Sequence, residues 1–161
     1  MTSRQTEPID PDIDLAVPEQ RRELSRAHGV VLPVIATGGA LGALARYGLA
    51  QCWPTPANGF PWATFVTNVT GCLLIGVFMT VITDIRPAHP LVRPFLGVGV
   101  LGGFTTFSTY ANEARALLRP DTIAVSFAYL VGTLVCALLA TVLGVRVTRA
   151  LHDGLRGRRA A

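Results

Sequence analysis

The chain has 161 residues, of which 50% are hydrophobic and only 15% are charged, and its mean hydropathy is +0.45. Residues 1–29 hold six of the ten acidic residues and four arginines, whereas the remainder holds ten arginines and four acidic residues. Because this second part contains uncharged runs as long as a bilayer is thick, a soluble enzyme, a nucleic-acid binder and a secreted disulfide scaffold are all disfavoured. The three cysteines have unrelated spacing and fit small buried hydrophobes better than a redox or zinc set.

The first 29 residues predict a disordered acidic tail. Pro8, Pro11 and Pro18 lie among dense charges and few large apolar side chains. Such a segment buries too little surface to offset the entropy lost on ordering. Its polar, acidic start also argues against a cleaved secretory signal.

Four apolar spans follow, and they predict an all-α membrane protein with four transmembrane helices. This four-helix domain covers residues 30–150 and precedes a basic tail at residues 151–161. At 1.5 Å per residue each span can cross a hydrocarbon core of roughly 30 Å, the third only just. The short loops contain proline and glycine, so neighbouring helices are expected to be antiparallel, with both termini on one side. The spans are Val31–Gln51, Trp62–Thr83, and the uncharged windows 94–112 and 122–145.

Arginine placement predicts that both termini are cytoplasmic. Ten arginines fall on the side of the termini, and three, Arg46, Arg115 and Arg119, fall on or near the other side. The excess of arginine in cytoplasmic loops is the usual determinant of orientation.

The third span has an unusual composition for a helix. It holds four glycines within seven residues, at 97, 99, 102 and 103, followed by the hydroxyl-rich run Thr105–Thr109. Glycine disfavours helix, and a broken helix at membrane depth is tolerated only where it is buried in protein or lines a cavity. The sequence therefore predicts a break that exposes carbonyls and helix N-termini to ions, the alternative being a polar but continuous packed helix.

Several polar and aromatic side chains of the spans are candidate ion contacts. Asn68 offers two N–H donors, although an interhelical hydrogen bond is its commoner role. Phe107 and Tyr110 are three residues apart and share a helix face, where aromatic edges could meet a small anion or simply pack. Tyr129 and Thr133 are four apart, and they either continue a line of hydroxyls or bond to a neighbouring helix.

Charge in the spans separates two classes of transporter. No span as bounded above holds an acidic residue, whereas a proton-coupled or cation-exporting transporter needs an ionisable group at membrane depth. Arg46, near the end of the first span, either snorkels to the interface or attracts anions to a vestibule. Gly38 and Gly42 form a small-xxx-small pair typical of close helix packing.

In combination, these segments resemble the Fluc/CrcB family of fluoride ion channels. The resemblance covers roughly residues 31–148, and the fourth span fits it more loosely, through Tyr129, Gly132, Thr133 and Gly144. The matching segments are GGALGALARY at 38–47, TFVTNVTG at 64–71 and GGFTTFSTY at 102–110.

The resemblance implies an antiparallel dimer of four-helix subunits with two fluoride pathways at the interface. Such channels passively export fluoride, which enters cells as the neutral acid. A structural sodium ion, Na+, is implied at the centre of the dimer, held by backbone carbonyls at the break in the third helix. By motif position those carbonyls belong to Gly102 and Thr105.

The resemblance also implies roles for pore residues. Asn68 matches the pore asparagine, and Phe107 matches the first of two phenylalanines that line the fluoride path. Tyr110 matches the second, where this sequence departs from the family, because a para-hydroxyl removes one positive ring edge and adds a donor. Further matches are a polar track of Ser108, Tyr129 and Thr133, and a vestibule arginine at Arg46.

The resemblance leaves the dimer partner open. An antiparallel homodimer needs nearly balanced arginines on the two sides, yet here they differ by about ten to three. This imbalance predicts one preferred orientation, and pairing with an oppositely oriented paralogue is the alternative to a homodimer.

The leading interpretation is a fluoride-selective channel of the cell membrane. A small four-helix drug or cation exporter and a non-conducting membrane scaffold are the alternatives.

Overall fold

A computed structural model of the chain describes residues 29–56, 58–85 and 88–160, with side chains as far as Arg156. The predicted acidic tail lies outside the described residues except for its last position, Gly29. Every regular element in the described part is helical, and no strand occurs there. We name the elements α1 (Val31–Cys52), α2 (Trp62–Thr80), the π-helical turn π1 (Val81–Ile85), the π-helix π2 (Arg93–Leu101), α3 (Gly102–Phe104), α4 (Phe107–Ala116) and α5 (Ile123–Ala160).

Three helices in the described part of the chain are long and apolar enough to cross a membrane. They cover Val31–Cys52, Trp62–Ile85 and Ile123–Arg156. Most of their surface is not buried within the chain, and exposed apolar helix faces of this size suit contact with lipid or with another subunit. The third apolar window of the sequence instead contains π2, α3 and α4, none of which is long enough to cross a membrane by itself.

Glycine permits α1 to lie directly against π2. A Cβ atom on Gly38 would come within 2.5 Å of the Phe95 carbonyl oxygen, and one on Gly42 would overlap the Val100 carbonyl oxygen. The two backbones therefore touch without intervening side chains. In a membrane, where no hydrophobic effect drives helices together, such close packing supplies much of the association.

The contact between α2 and α5 also depends on small residues. A Cβ on Gly144 would lie 2.5 Å from the Leu73 carbonyl oxygen, and the Thr141 hydroxyl donates to the Cys72 carbonyl at 3.1 Å. Near the end of π1, Arg149 Nε lies 2.8 Å from Asp84 Oδ2. Since the contacting residue numbers rise together on both helices, α2 and α5 run parallel.

Helix α5 is much longer than its apolar window. Its 38 residues extend about 57 Å, nearly twice the thickness of a hydrocarbon core. The helix continues through the segment that the sequence assigned to a basic C-terminal tail, as far as Ala160. Its last turns therefore project beyond the bundle.

Candidate functional site

The helical path breaks between α3 and α4. Thr105 has φ −75° and ψ 156°, and Thr106 has φ −148° and ψ 128°, so both residues are extended. Helix α4 then begins at Phe107, and the Thr106 hydroxyl caps it by accepting from the Thr109 N–H at 3.2 Å. The hydroxyl-rich sequence after the glycines thus supplies the cap that a new helix needs.

Asn68 of α2 holds the break in place. Its Nδ2 donates to the Thr106 carbonyl at 3.0 Å, and its Oδ1 accepts from the Thr106 N–H at 2.9 Å. These two bonds satisfy both backbone groups of a residue that has left the helix. An amide side chain carries two N–H donors, and only one N–H of Asn68 is used in these two bonds.

Two carbonyls at the break lose their usual helical donors. In an unbroken helix the Gly102 carbonyl would accept from the Thr106 N–H, which here donates to Asn68. Likewise the Thr105 carbonyl would accept from the Thr109 N–H, which here donates to the Thr106 hydroxyl. These are the two carbonyls that the resemblance assigns to a cation.

A cavity of about 340 Å³ lies beside the break, between α2, the π2–α4 segment and α5. Thr133, on its α5 wall, is 96% buried, and its hydroxyl has no hydrogen-bond partner. A buried hydroxyl without a partner is costly, so it marks a place where a ligand can be accommodated. Of the residues predicted as site residues, six line this cavity: Asn68, Gly102, Thr105, Phe107, Tyr110 and Thr133.

The two aromatic residues of α4 lie together at this cavity. The Phe107 and Tyr110 ring centroids are 5.8 Å apart, and Phe107 is 79% exposed in the single chain. The Tyr110 hydroxyl donates to the Leu130 carbonyl at 2.6 Å. The para-hydroxyl that distinguishes this chain from the family pattern is therefore bound to α5.

Ser108 and Tyr129, predicted for the polar track, do not line the cavity. Ser108 is exposed on α4, with its hydroxyl 3.3 Å from that of Thr106. Tyr129 is fully buried on α5 and stacks edge-on against Tyr110, with ring centroids 5.1 Å apart. The structure thus brings Tyr129 next to the cavity wall rather than into it.

Glu113 corrects the expectation that the spans hold no acidic residue. The sequence placed it only as the boundary of the third window, but it lies inside α4 and its carboxylate faces the bundle. Its Oε1 accepts from the Thr64 hydroxyl at 3.0 Å, and its Oε2 accepts from the Tyr129 hydroxyl at 2.7 Å. The signal that could have identified it was its spacing of three from Tyr110, on one face of the helix.

Arg46 lies in a second cavity of about 230 Å³ at the other side of the break, together with Glu113, Thr64 and Thr106. Its Nε donates to the Gly103 carbonyl at 3.3 Å, and the residue is half-buried. The Glu113 carboxylate lies at the same cavity, so the wall carries one positive and one negative side chain, and the vestibule role of Arg46 stays a prediction.

Within the described residues no cluster of three or more histidine, cysteine, aspartate or glutamate side chains could hold a metal ion. A cation held by the Gly102 and Thr105 carbonyls would be coordinated by neutral oxygens. Alkali ions are held in this way by rings of backbone carbonyls in other channels. The donor chemistry of Gly102 and Thr105 fits such an ion.

Comparison with known proteins identifies the family of the chain. A family model described as "CrcB-like protein, Camphor Resistance (CrcB)" matches residues 33–145. Fluoride-specific ion channel FluC 1 of Streptomyces coelicolor is 54% identical over 124 residues, which cover 77% of this chain and 80% of the relative. FluC 2 of Streptomyces avermitilis is 52% identical over 78% of this chain and 79% of its own length.

Similarity extends outside that genus. Fluoride-specific ion channel FluC 2 of Nocardia farcinica is 52% identical over 119 residues, covering 74% of this chain and 85% of the relative. All three relatives are named as channels, not as enzymes. With its apolar helices and this similarity over most of its length, the chain is a multi-pass membrane protein of the CrcB-like family.

Proposed function

We propose that this protein is a fluoride-selective ion channel that passively exports fluoride from the cytoplasm and so reduces fluoride toxicity. The proposal is carried by the relatives, which are about half identical to this chain over most of their length. Each of them is named as a fluoride-specific ion channel. The cavity beside the break supplies the chemistry that such a channel needs.

Fluoride is small and strongly hydrated, so a selective path must replace its water with hydrogen-bond donors. The hydroxyl of Thr133 has no protein partner, and the second N–H of Asn68 lies at the same cavity. Neutral donors bind an anion without trapping it, and conduction needs binding that is strong enough to enter and weak enough to leave. The edge of Phe107 carries positive charge of the ring quadrupole and adds a third neutral contact.

We propose that π2, α3 and α4 together form a third crossing in a four-helix subunit, and that two subunits associate antiparallel. The exposure of Phe107 supports this arrangement, because a large aromatic side chain at a candidate ion path needs a second surface to exclude water and lipid. The partner is a second copy of this chain or an oppositely oriented paralogue. The relatives numbered FluC 2 and FluC 3 in Streptomyces avermitilis support paralogous pairs.

A structural Na+ at the centre of the dimer is part of the proposal. Gly102 and Thr105 would hold it through the carbonyls that the break leaves without helical donors. The ion would supply a fixed positive charge that joins the two subunits. Replacing Na+ by a large organic cation during purification is expected to abolish fluoride flux and lower the melting temperature, and unchanged flux in the absence of Na+ would contradict this part.

For orientation we propose that both termini are cytoplasmic, from the ten-to-three arginine imbalance. Fusions of a cytoplasm-active and a periplasm-active reporter to the C-terminus test this. Signal from the cytoplasmic reporter alone is expected, and it would require an oppositely oriented partner subunit. Equal signals from both reporters would support a homodimer and refute a fixed orientation.

The central test is efflux from liposomes containing the purified protein. We expect fluoride efflux under a fluoride gradient, no efflux of chloride under the matched gradient, and no transport of a cationic dye. Glu113 makes this comparison important, since a carboxylate inside a helix is a feature of cation exporters. Dye export without fluoride flux would favour the exporter, and the absence of any flux would favour a scaffold.

A further inference from the structure

The face of α5 that packs against α2 continues beyond the end of α2. Thr141, Gly144 and Thr148 form this face, and they recur every three or four residues. The same spacing continues to Leu151 and Leu155, where the small residues give way to large apolar ones. These two leucines are 64% and 63% exposed. A helix face with continued apolar spacing is expected to be covered.

This part of α5 lies outside the hydrocarbon core. The uncharged window of the helix ends before Arg146, and Arg149 pairs with Asp84 at the last turn of the α2–π1 helix. We call residues 146–160 the α5 overhang. It extends about 22 Å, its charges favour a place outside the hydrocarbon core, and its leucines are exposed in the single chain.

The overhang is strongly basic. With histidine neutral its net charge is +4, from five arginines and one aspartate: Arg146, Arg149, Arg156, Arg158, Arg159 and Asp153. Two copies of the overhang would therefore repel each other. A suitable partner combines negative charge with aliphatic side chains.

Residues 7–19 of this chain have that chemistry. They hold five acidic residues and no basic residue, and their aliphatic side chains include Ile9, Ile13 and Val17 at intervals of four. An acidic segment with spaced aliphatic side chains complements a basic surface that exposes leucines.

The acidic segment can also reach the overhang. Val34, near the start of α1, lines one cavity with Leu91 and Phe95, and these residues follow closely after Asp84, the partner of Arg149. The start of α1 and the overhang are thus at the same end of the bundle. Eleven residues separate position 19 from Val31 and span up to about 36–40 Å, more than two helix diameters.

We infer that residues 7–19 bind the overhang of the same subunit, with their aliphatic side chains on Leu151 and Leu155 and their carboxylates beside its arginines. The overhang is then a docking site for the acidic segment rather than a free tail. Binding anchors the segment at the cytoplasmic end of the subunit that carries it.

The test uses the full-length protein in liposomes, with the photocrosslinker benzoylphenylalanine replacing Ile13. Mixing isotope-labelled and unlabelled protein before assembly lets mass spectrometry separate crosslinks within one chain from those between chains. We expect crosslinks within one chain to residues 147–156. The double variant Leu151→Glu, Leu155→Glu is expected to lower the yield of these crosslinks about tenfold. The double variant Asp10→Asn, Asp12→Asn is expected to lower it several-fold.

The control variant is Ala150→Glu, which adds one negative charge, as each of the two leucine substitutions does, at an exposed position of the overhang away from the two leucines. It is expected to retain most of the crosslink. Size-exclusion profile and melting temperature verify folding, so the outcome does not depend on whether the protein conducts fluoride. Crosslinks chiefly to lipid, crosslinks chiefly to another chain, no crosslink to the overhang, or an equal loss in Ala150→Glu would each overturn the inference.

Discussion

Asn68→Asp tests whether one side chain both holds the break and faces the ion. The substitution replaces the Nδ2 donor, 3.0 Å from the Thr106 carbonyl, by a carboxylate oxygen that cannot donate. The Thr106 carbonyl then loses its partner, which costs about 1–3 kcal/mol of folding free energy. In addition, a negative charge now lies on the wall of the cavity.

The charge also acts directly on an anion in the cavity. For an anion about 5 Å from the carboxylate, an effective dielectric constant of about 20 gives a repulsion of roughly 3 kcal/mol. This energy corresponds to more than about a hundredfold loss of occupancy. Fluoride flux through Asn68→Asp at pH 7 is therefore expected to fall by at least that factor.

Asn68→Ala separates the two effects. It removes both hydrogen bonds to Thr106 without adding charge, so we expect a loss of stability at least as large as in Asn68→Asp but a smaller loss of flux. Flux is measured with a fluoride electrode after the gradient is released, and stability by thermal melting in detergent. Equal flux in the two variants would refute the electrostatic argument, and undiminished flux in Asn68→Asp would remove Asn68 from the path.

Three further predictions follow from single side chains, two of them with a control variant. Thr133→Val is expected to lower fluoride flux at least tenfold with little loss of stability, because the Thr133 hydroxyl has no protein partner. The control Thr141→Val breaks two hydrogen bonds to carbonyls, so it should lower the melting temperature and leave the flux unchanged. Gly42→Ala should lower the free energy of unfolding by about 1–3 kcal/mol, since its Cβ would overlap the π2 backbone. Gly48→Ala, which has open space around its Cβ, should leave the stability unchanged or raise it in the same melting assay. Phe107→Ile should cut flux with an unchanged size-exclusion profile, and normal flux would refute the ring-edge contact.

The sequence predicted the long helices well because their signal is composition. An uncharged window gives the length of a helix that can face lipid, whatever its neighbours in the bundle are. The end of α5 escaped prediction for the same reason. A run of arginines ends the apolar window but does not end a helix. The charges therefore indicate where the apolar span stops, while the helix itself continues to Ala160.

The sequence can put Glu113 on the same helix face as Tyr110, but it cannot show that this face turns into the bundle, because that depends on tertiary contacts. As a charge at the edge of an uncharged window it resembles any residue at a membrane interface. Its carboxylate is instead drawn inward by two hydroxyls, Thr64 on α2 and Tyr129 on α5, that lie 49 and 16 residues away in the chain. Side-chain partners of this kind appear only when the helices are assembled.

The break and the close helix packing depend on each other. A Cβ on Gly71 would overlap the methyl group of Thr105, so only glycine at this position lets α2 approach the extended residues. That approach in turn brings Asn68, three residues earlier on the same face, within reach of both backbone groups of Thr106. The glycines therefore do more than let helices touch. They bring an amide close enough to replace the helical hydrogen bonds of Thr106, and the carbonyls of Gly102 and Thr105 are left without their usual helical donors.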